Sequence, residues 1–163
     1  MTRAIGLDLG SKRIGVALST SDGVLATPYE VVQRTGDRRQ EHRKIAALAA
    51  EAEAEVIVVG VPYHLDGRLS PNAKAALAEA QELHDTIGLP VETYDERLTT
   101  VTAQRSLNEM NLSPSARRRA IDQVAAAVML QAWLDHRREV PPGATDDTDA
   151  PDTDDADETD REP

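Results

Sequence analysis

Three places in this 163-residue chain put a carboxylate where a fold gives it little water. Asp8 interrupts an alternating apolar run, with Gly6 and Gly10 as its same-face neighbours. Asp is disfavoured inside strands, so Asp8 either meets water at an edge or works there. Asp95 and Glu96 follow the apolar residues of a late strand. The carboxyl end of a parallel strand is where open α/β sheets place ligands. Asp95 or Thr99 could equally cap the next helix, and Glu96 could be solvated beside it. Asp122 lies in AIDQVAAAVMLQAWL, with Ala125, Ala126 and Met129 three, four and seven residues on. On a helix those positions share its face. An unpaired ionised carboxylate buried there costs on the order of several kcal/mol, so it must be neutral, paired (Arg97 is one candidate) or metal-bound.

Acids brought together repel and raise each other's pKa. A divalent cation removes that conflict, and an all-oxygen ligand set suits Mg2+ or Mn2+. Such ions activate water and stabilise the leaving oxygen of an in-line phosphodiester displacement. The four histidines (His42, His64, His84, His136) show no ligand spacing, and only His64 falls in a loop near the presumed site. With no Cys in the chain, disulfides, Cys-ligated zinc, iron–sulfur clusters and a cysteine nucleophile are excluded.

The elements that must position these acids are legible. Residues 3–9 and 13–19 alternate with period two and read as strands joined by a short loop at Gly10-Ser11-Lys12. A third extended run goes from Val24-Leu25 to Val31-Val32. Helical spacing covers 38–53. The continuous apolar run Val56–Val59 reads as a central parallel strand. Residues 61–70 are a loop, and Ser70-Pro71 opens a helix to about Ile87. Val91–Asp95 is a strand, a helix follows from about Thr99 to Met110, and Ser113-Pro114 starts a last helix ending near Arg138. The order predicts an α/β fold, a five-stranded mixed sheet of three antiparallel then two parallel strands, with helices on both faces.

Charge divides the chain in two. The net charge of -11 and a pI of about 4.7 argue, taken whole, against a nucleic-acid partner. Residues 141–163, however, hold ten acids and one base, and no Val, Ile, Leu, Met or aromatic residue. They read as a disordered acidic tail. Residues 1–140 form the folded domain, with 17 bases and 19 acids. Its bases cluster at Arg34, Arg38, Arg39, Arg43 and Lys44, and at Arg117-Arg118-Arg119. Each cluster is either a solvated helix face or a phosphate-binding patch. No apolar run reaches the ~18 residues of a membrane span, and the N-terminus lacks a signal-peptide layout. A soluble cytoplasmic protein is expected, with no membrane partner.

Over roughly residues 3–138 the chain resembles the YqgF (RuvX) family of bacterial RNase H-like nucleases. The resemblance rests on GLDLGSKRIGVALS (6–19), VVGVPYHLDG (58–67), YDERLTT (94–100) and IDQVAAAVMLQAWL (121–134). It implies an RNase H-like fold and divalent-metal phosphodiester cleavage. It also implies catalytic, metal-binding acids at Asp8, Glu96 and Asp122, which chooses Glu96 over Asp95. Family members are described as nucleases maturing the 5′ end of pre-16S ribosomal RNA and, by analogy, as Holliday-junction resolvases. Supporting roles fall to Gly10, Asp95 and Thr99. Lys12, Arg13, Arg97, Arg117, Arg118 and Arg119 would contact backbone phosphates. Tyr29, Tyr63, Tyr94 and Trp133 are the only aromatics, so recognition should lean on phosphates and shape.

Three other readings compete with RNA maturation. A four-way DNA junction is the alternative substrate, cut by a two-fold dimer, whereas RNA maturation allows a monomer or a homodimer. The DLGS turn also resembles the phosphate loop of sugar-kinase and actin-like ATPases, but those need two such domains and this body is too short. A non-catalytic nucleic-acid-binding module would be expected to lack one of the three acids.

Overall fold

The computed structural model describes residues 3–98 and 113–139, and for 98, 114–123 and 139 the backbone alone. The expected helix from Thr99 to Met110 and the expected tail at 141–163 lie outside the described residues. Strand β1 (Ala4–Leu9) pairs antiparallel with β2 (Arg13–Ser19), which pairs antiparallel with β3 (Ala26–Gln33). Helix α1 (Arg38–Glu51) leads to β4 (Val56–Val61), parallel to β1. Helix α2 (Pro71–Ile87) leads to β5 (Val91–Asp95), parallel to β4. A 3-10 turn over Glu96–Leu98 follows, and helix α3 spans Pro114–Glu139. The sheet order is β3-β2-β1-β4-β5. This is the expected mixed sheet, with the two crossover strands added beside the first.

Alternation splits the core between the two sheet faces. Ile5, Leu7, Ile14, Val16, Ile57 and Val59 meet Ile45 and Ala49 of α1 and Ala80 and Leu83 of α2. Ala4, Ala17 and Val58 on the other face meet Ala126, Met129, Leu130 and Trp133 of α3. Every residue of β4 is buried, as the continuous apolar run predicts for a strand covered on both sides. At Gly6 helix α3 presses on β1: a Cβ there would stand 2.9 Å from the Leu130 Cβ. The space that a glycine beside Asp8 leaves at position 6 is thus filled by the helix. Gln131 ties α3 to the sheet edge, accepting from the Ala26 N–H at 2.8 Å and donating to the Val24 carbonyl at 3.0 Å.

Local chemistry sets the boundaries. Asp37 caps α1 by accepting from the Arg39 and Gln40 N–H groups. Helix α1 ends at Glu51, two residues before the expected 53, in a Schellman motif. Glu53 N–H donates to the Ala50 carbonyl (3.1 Å) and Ala54 N–H to the Ala49 carbonyl (2.9 Å). The left-handed position of that motif, usually glycine, is Glu53 at φ +53°. Ser70 caps α2 from the Ala73 N–H at 3.0 Å, and Gly88 closes it at φ +81°. Strand β3 starts at Ala26 rather than Val24, because Thr20 and Asp22 bind the 22–25 segment into a turn. A bulge follows: Val16 faces Glu30 and Ala17 faces Pro28, so Tyr29 is the extra residue on this edge strand. Among the described residues no helix is long and apolar enough to cross a membrane.

Candidate active site

The first two acids meet at the carboxyl ends of β1 and β5. Asp8 is the penultimate residue of β1, and Glu96 is the first residue after β5. Both are half-buried, and their carboxyl groups hydrogen-bond to each other. Burial, the charge of Asp8, that shared hydrogen bond and the charge of Asp95 together push the Glu96 carboxyl up to about 8. Glu96 therefore holds a proton at neutral pH while no cation is bound. Between them in the sheet stands Gly60 of β4. A Cβ there would lie 2.3 Å from Glu96 Oε1, so only glycine leaves the carboxylate its place.

Sequence reading missed Gly60. The available signal was a glycine inside the otherwise unbroken apolar run Val56–Val61. The parallel register sets Leu7 opposite Val59 and Gly60 opposite Tyr94, so Asp8 and Gly60 stand level, while Glu96 follows two residues beyond that level and its side chain lies over Gly60.

Asp95 turns away from the pair and engages Arg97. Its carboxylate accepts from the Arg97 backbone N–H at 3.0 Å and from Nε at 2.8 Å. These hydrogen bonds hold the Asp95 carboxyl below its usual range. Arg97 also lies over the Tyr63 ring, 5.6 Å from its centre, and donates to the His64 carbonyl. Its guanidinium thus joins the end of β5 to the 62–69 loop, and any phosphate would share it with Asp95.

Asp8, Gly10, Ser11 and Glu96 line a cleft of roughly 550 Å3 that continues past Arg34, Glu41, Asn72 and Glu79. Gly10 is required by the turn, since a Cβ would meet the Arg13 carbonyl oxygen at 2.5 Å. Lys12 is exposed and Arg13 partly so. Glu41 and Glu79 carried no sequence-based expectation as site residues; Arg34, read as part of a basic cluster, lies before helix α1 and turns inward onto both of them. A helical reading could have found Glu79, which shares a face with Ala76 and Leu83, both buried. Asp122 and Arg117, Arg118 and Arg119 belong to α3, but their side chains lie outside the described residues, as does Thr99. Ala126 and Met129, one and two turns on from position 122, are buried against the sheet.

Residues 2–136 match the family model described as RuvX, Holliday junction resolvase. The chain belongs to the RuvX family. A Mycobacterium sp. (strain KMS) protein named "Putative pre-16S rRNA nuclease" is 50% identical over 137 residues, covering 83% of this chain and 81% of its own. A Mycobacterium ulcerans (strain Agy99) protein of the same name is 47% identical over 146 residues, covering 88% of this chain and 85% of its own. Among solved structures, Thermus thermophilus RuvC in complex with a Holliday junction substrate superposes with a TM-score of 0.56 at 16% identity. It covers 86% of this chain and 98% of RuvC. That likeness establishes the RNase H-like fold of this RuvX chain.

Proposed function

We propose that this RuvX protein is a divalent-metal-dependent endonuclease that matures the 5′ end of pre-16S ribosomal RNA in the cytoplasm. The observation that carries the reading is the carboxyl pair Asp8–Glu96, hydrogen-bonded across Gly60 at the strand ends and open to a cleft. Two carboxyls in contact need either a shared proton or a cation between them. The oxygen-only donor set fits Mg2+ or Mn2+, held by Asp8 and Glu96 with Asp122 as third ligand. A bound ion of this kind lowers the pKa of a water and stabilises the leaving oxygen of a phosphodiester.

The protein's own residues do the rest. Glu96 gives up its proton as the site loads. Lys12 on the loop beside Asp8, Arg13 at the start of β2, and Arg117, Arg118 and Arg119 neutralise backbone phosphates. Gly10 keeps the loop backbone low enough for close approach. Asp95 acts indirectly, by holding Arg97 and with it the 62–69 loop.

The relatives' names support RNA as substrate. The description of the family model favours a second reading, resolution of a four-way DNA junction by a homodimer. A side-by-side assay on pre-16S RNA and a four-way junction separates the two. Wild type is expected to cut the RNA in Mg2+ or Mn2+, and Asp8→Asn, Glu96→Gln and Asp122→Asn to abolish cleavage while remaining folded. Cutting of the junction alone would transfer the assignment to resolution. Full activity in any one variant would remove that acid from the site.

A further inference from the structure

A buried ion cluster stands behind the loop that follows Asp8, and one residue connects the two. Arg34 lies just beyond β3. Its backbone N–H donates to the Lys12 carbonyl at 2.9 Å, and its Nε donates to the Gly10 carbonyl at 3.0 Å. The far end of the guanidinium forks onto Glu79 of α2, with Nη2 to Oε2 at 2.9 Å, and reaches Glu41 of α1 at 3.0 Å. Glu41 in turn accepts from the Thr35 and Gly36 N–H groups, and Glu79 contacts His42 Nε2 at 3.2 Å. The Glu41 and Glu79 side chains are 4% and 2% exposed. Burial alone would raise both carboxyls, but Arg34, helped by the Thr35 and Gly36 N–H groups at Glu41 and by His42 and Arg38 at Glu79, holds both below their ordinary values.

An ion cluster of this kind is a poor way to add stability, because desolvating the charges offsets their attraction. It is a good way to fix geometry, because the planar fork accepts few arrangements. Here the fixed object is the turn Gly10–Lys12, whose first and last carbonyls are both tethered to Arg34, and whose Gly10 N–H closes back on the Asp8 carbonyl at 3.1 Å. Arg34, Glu41 and Glu79 line the same cleft as Asp8, Ser11 and Glu96.

We propose that Arg34, seated on Glu79 and Glu41, is a positioning residue that sets the Asp8 carboxylate and the Gly10–Lys12 loop for cation and phosphate. This rests on the nuclease reading for its purpose, but its geometry can be tested without it. The variant is Arg34→Lys, which keeps the charge and the backbone bond to Lys12 and removes the fork. Three measurements are made on the full chain: amide hydrogen exchange at Gly10 and Ser11, Mn2+ affinity by electron paramagnetic resonance, and cleavage kinetics on the RNA.

Exchange at those amides is expected to quicken about tenfold, and Mn2+ to bind about tenfold more weakly. The kcat is expected to fall about a hundredfold with KM little changed. Glu79→Gln, which weakens the seat but leaves Arg34 in place, should move all three the same way by less, and it serves if Arg34→Lys does not fold. Wild-type exchange, Mn2+ affinity and kcat in a variant that has only lost thermal stability would overturn the proposal. If the wild-type protein cuts no RNA, the nuclease reading fails, and the exchange comparison still decides for or against Arg34.

Discussion

Gly60 and Glu96 occupy one another's space: a β-carbon on the first would stand 2.3 Å from Oε1 of the second and 2.9 Å from its Cγ. The glycine is the penultimate residue of a fully buried strand, so the Glu96 side chain rather than the backbone must give way. Gly60→Ala is therefore expected to displace Glu96 and lower cleavage about a hundredfold. Because only the flexible Glu96 side chain has to move, the loss of stability should stay at the low end of overpacking, about 1 kcal/mol. Circular dichroism and a cleavage assay on the same preparation check this, and undiminished activity would refute the assigned geometry.

The proton on Glu96 makes metal-free stability depend on pH. Glu96 titrates near 4.5 when unfolded and at about 8 in the fold, for the reasons of burial and the Asp8 charge. Between those values the native state holds the extra proton, so stability falls as pH rises from about 4.5 to about 8 and then levels off. Melting in EDTA at pH 5, 7 and 9 should show the fall. Glu96→Gln should flatten it, and Mn2+ binding should tighten and release fewer protons from pH 6 to pH 8.5. A wild-type melting temperature that rises over this window would contradict the shared-proton site.

Replacing Arg117, Arg118 and Arg119 by Gln should weaken RNA binding and flatten its salt dependence. For every phosphate left without its arginine, the log–log slope should change by about 0.7–0.9. Filter binding across a range of KCl concentrations reads the slope. An unchanged slope would return the cluster to a solvated helix face.

Glu53 offers a stability test away from the site. It sits at φ +53° where a Schellman motif ordinarily has glycine. Glu53→Gly should relieve backbone strain and raise stability by about 1 kcal/mol. The exposed pair Glu53 makes with Arg3 sets little against that gain. Urea unfolding monitored by tryptophan fluorescence measures the difference, and a loss of stability would mean the pair outweighs the strain.

Much of this fold was readable from residues. Period-two runs placed β1 and β2, and the unbroken apolar run placed β4. Asp8 stood out because strands rarely hold an acid. Chain spacing alone left Asp95 and Glu96 open, since both close a strand and both sit near a helix start. The fold separates them, because Asp95 pairs with Arg97 while Glu96 turns to Asp8. The importance of Gly60 and Arg34 arises from contacts between residues dozens of positions apart. Those depend on strand register and on where helices dock, which no local pattern encodes. At α1 the expected end overshot by two residues because the left-handed turn falls on a glutamate.

The bulged edge of the sheet bears on how two copies could associate. At Tyr29 strand β3 carries an unpaired extra residue, and at Pro28 it lacks an N–H. An incoming strand would find the row of donors and acceptors broken and bent, so continuous sheet growth across this rim is blocked. Any two-fold partner would therefore dock on the helical layers or the opposite rim, and this rim is guarded against runaway strand-to-strand aggregation.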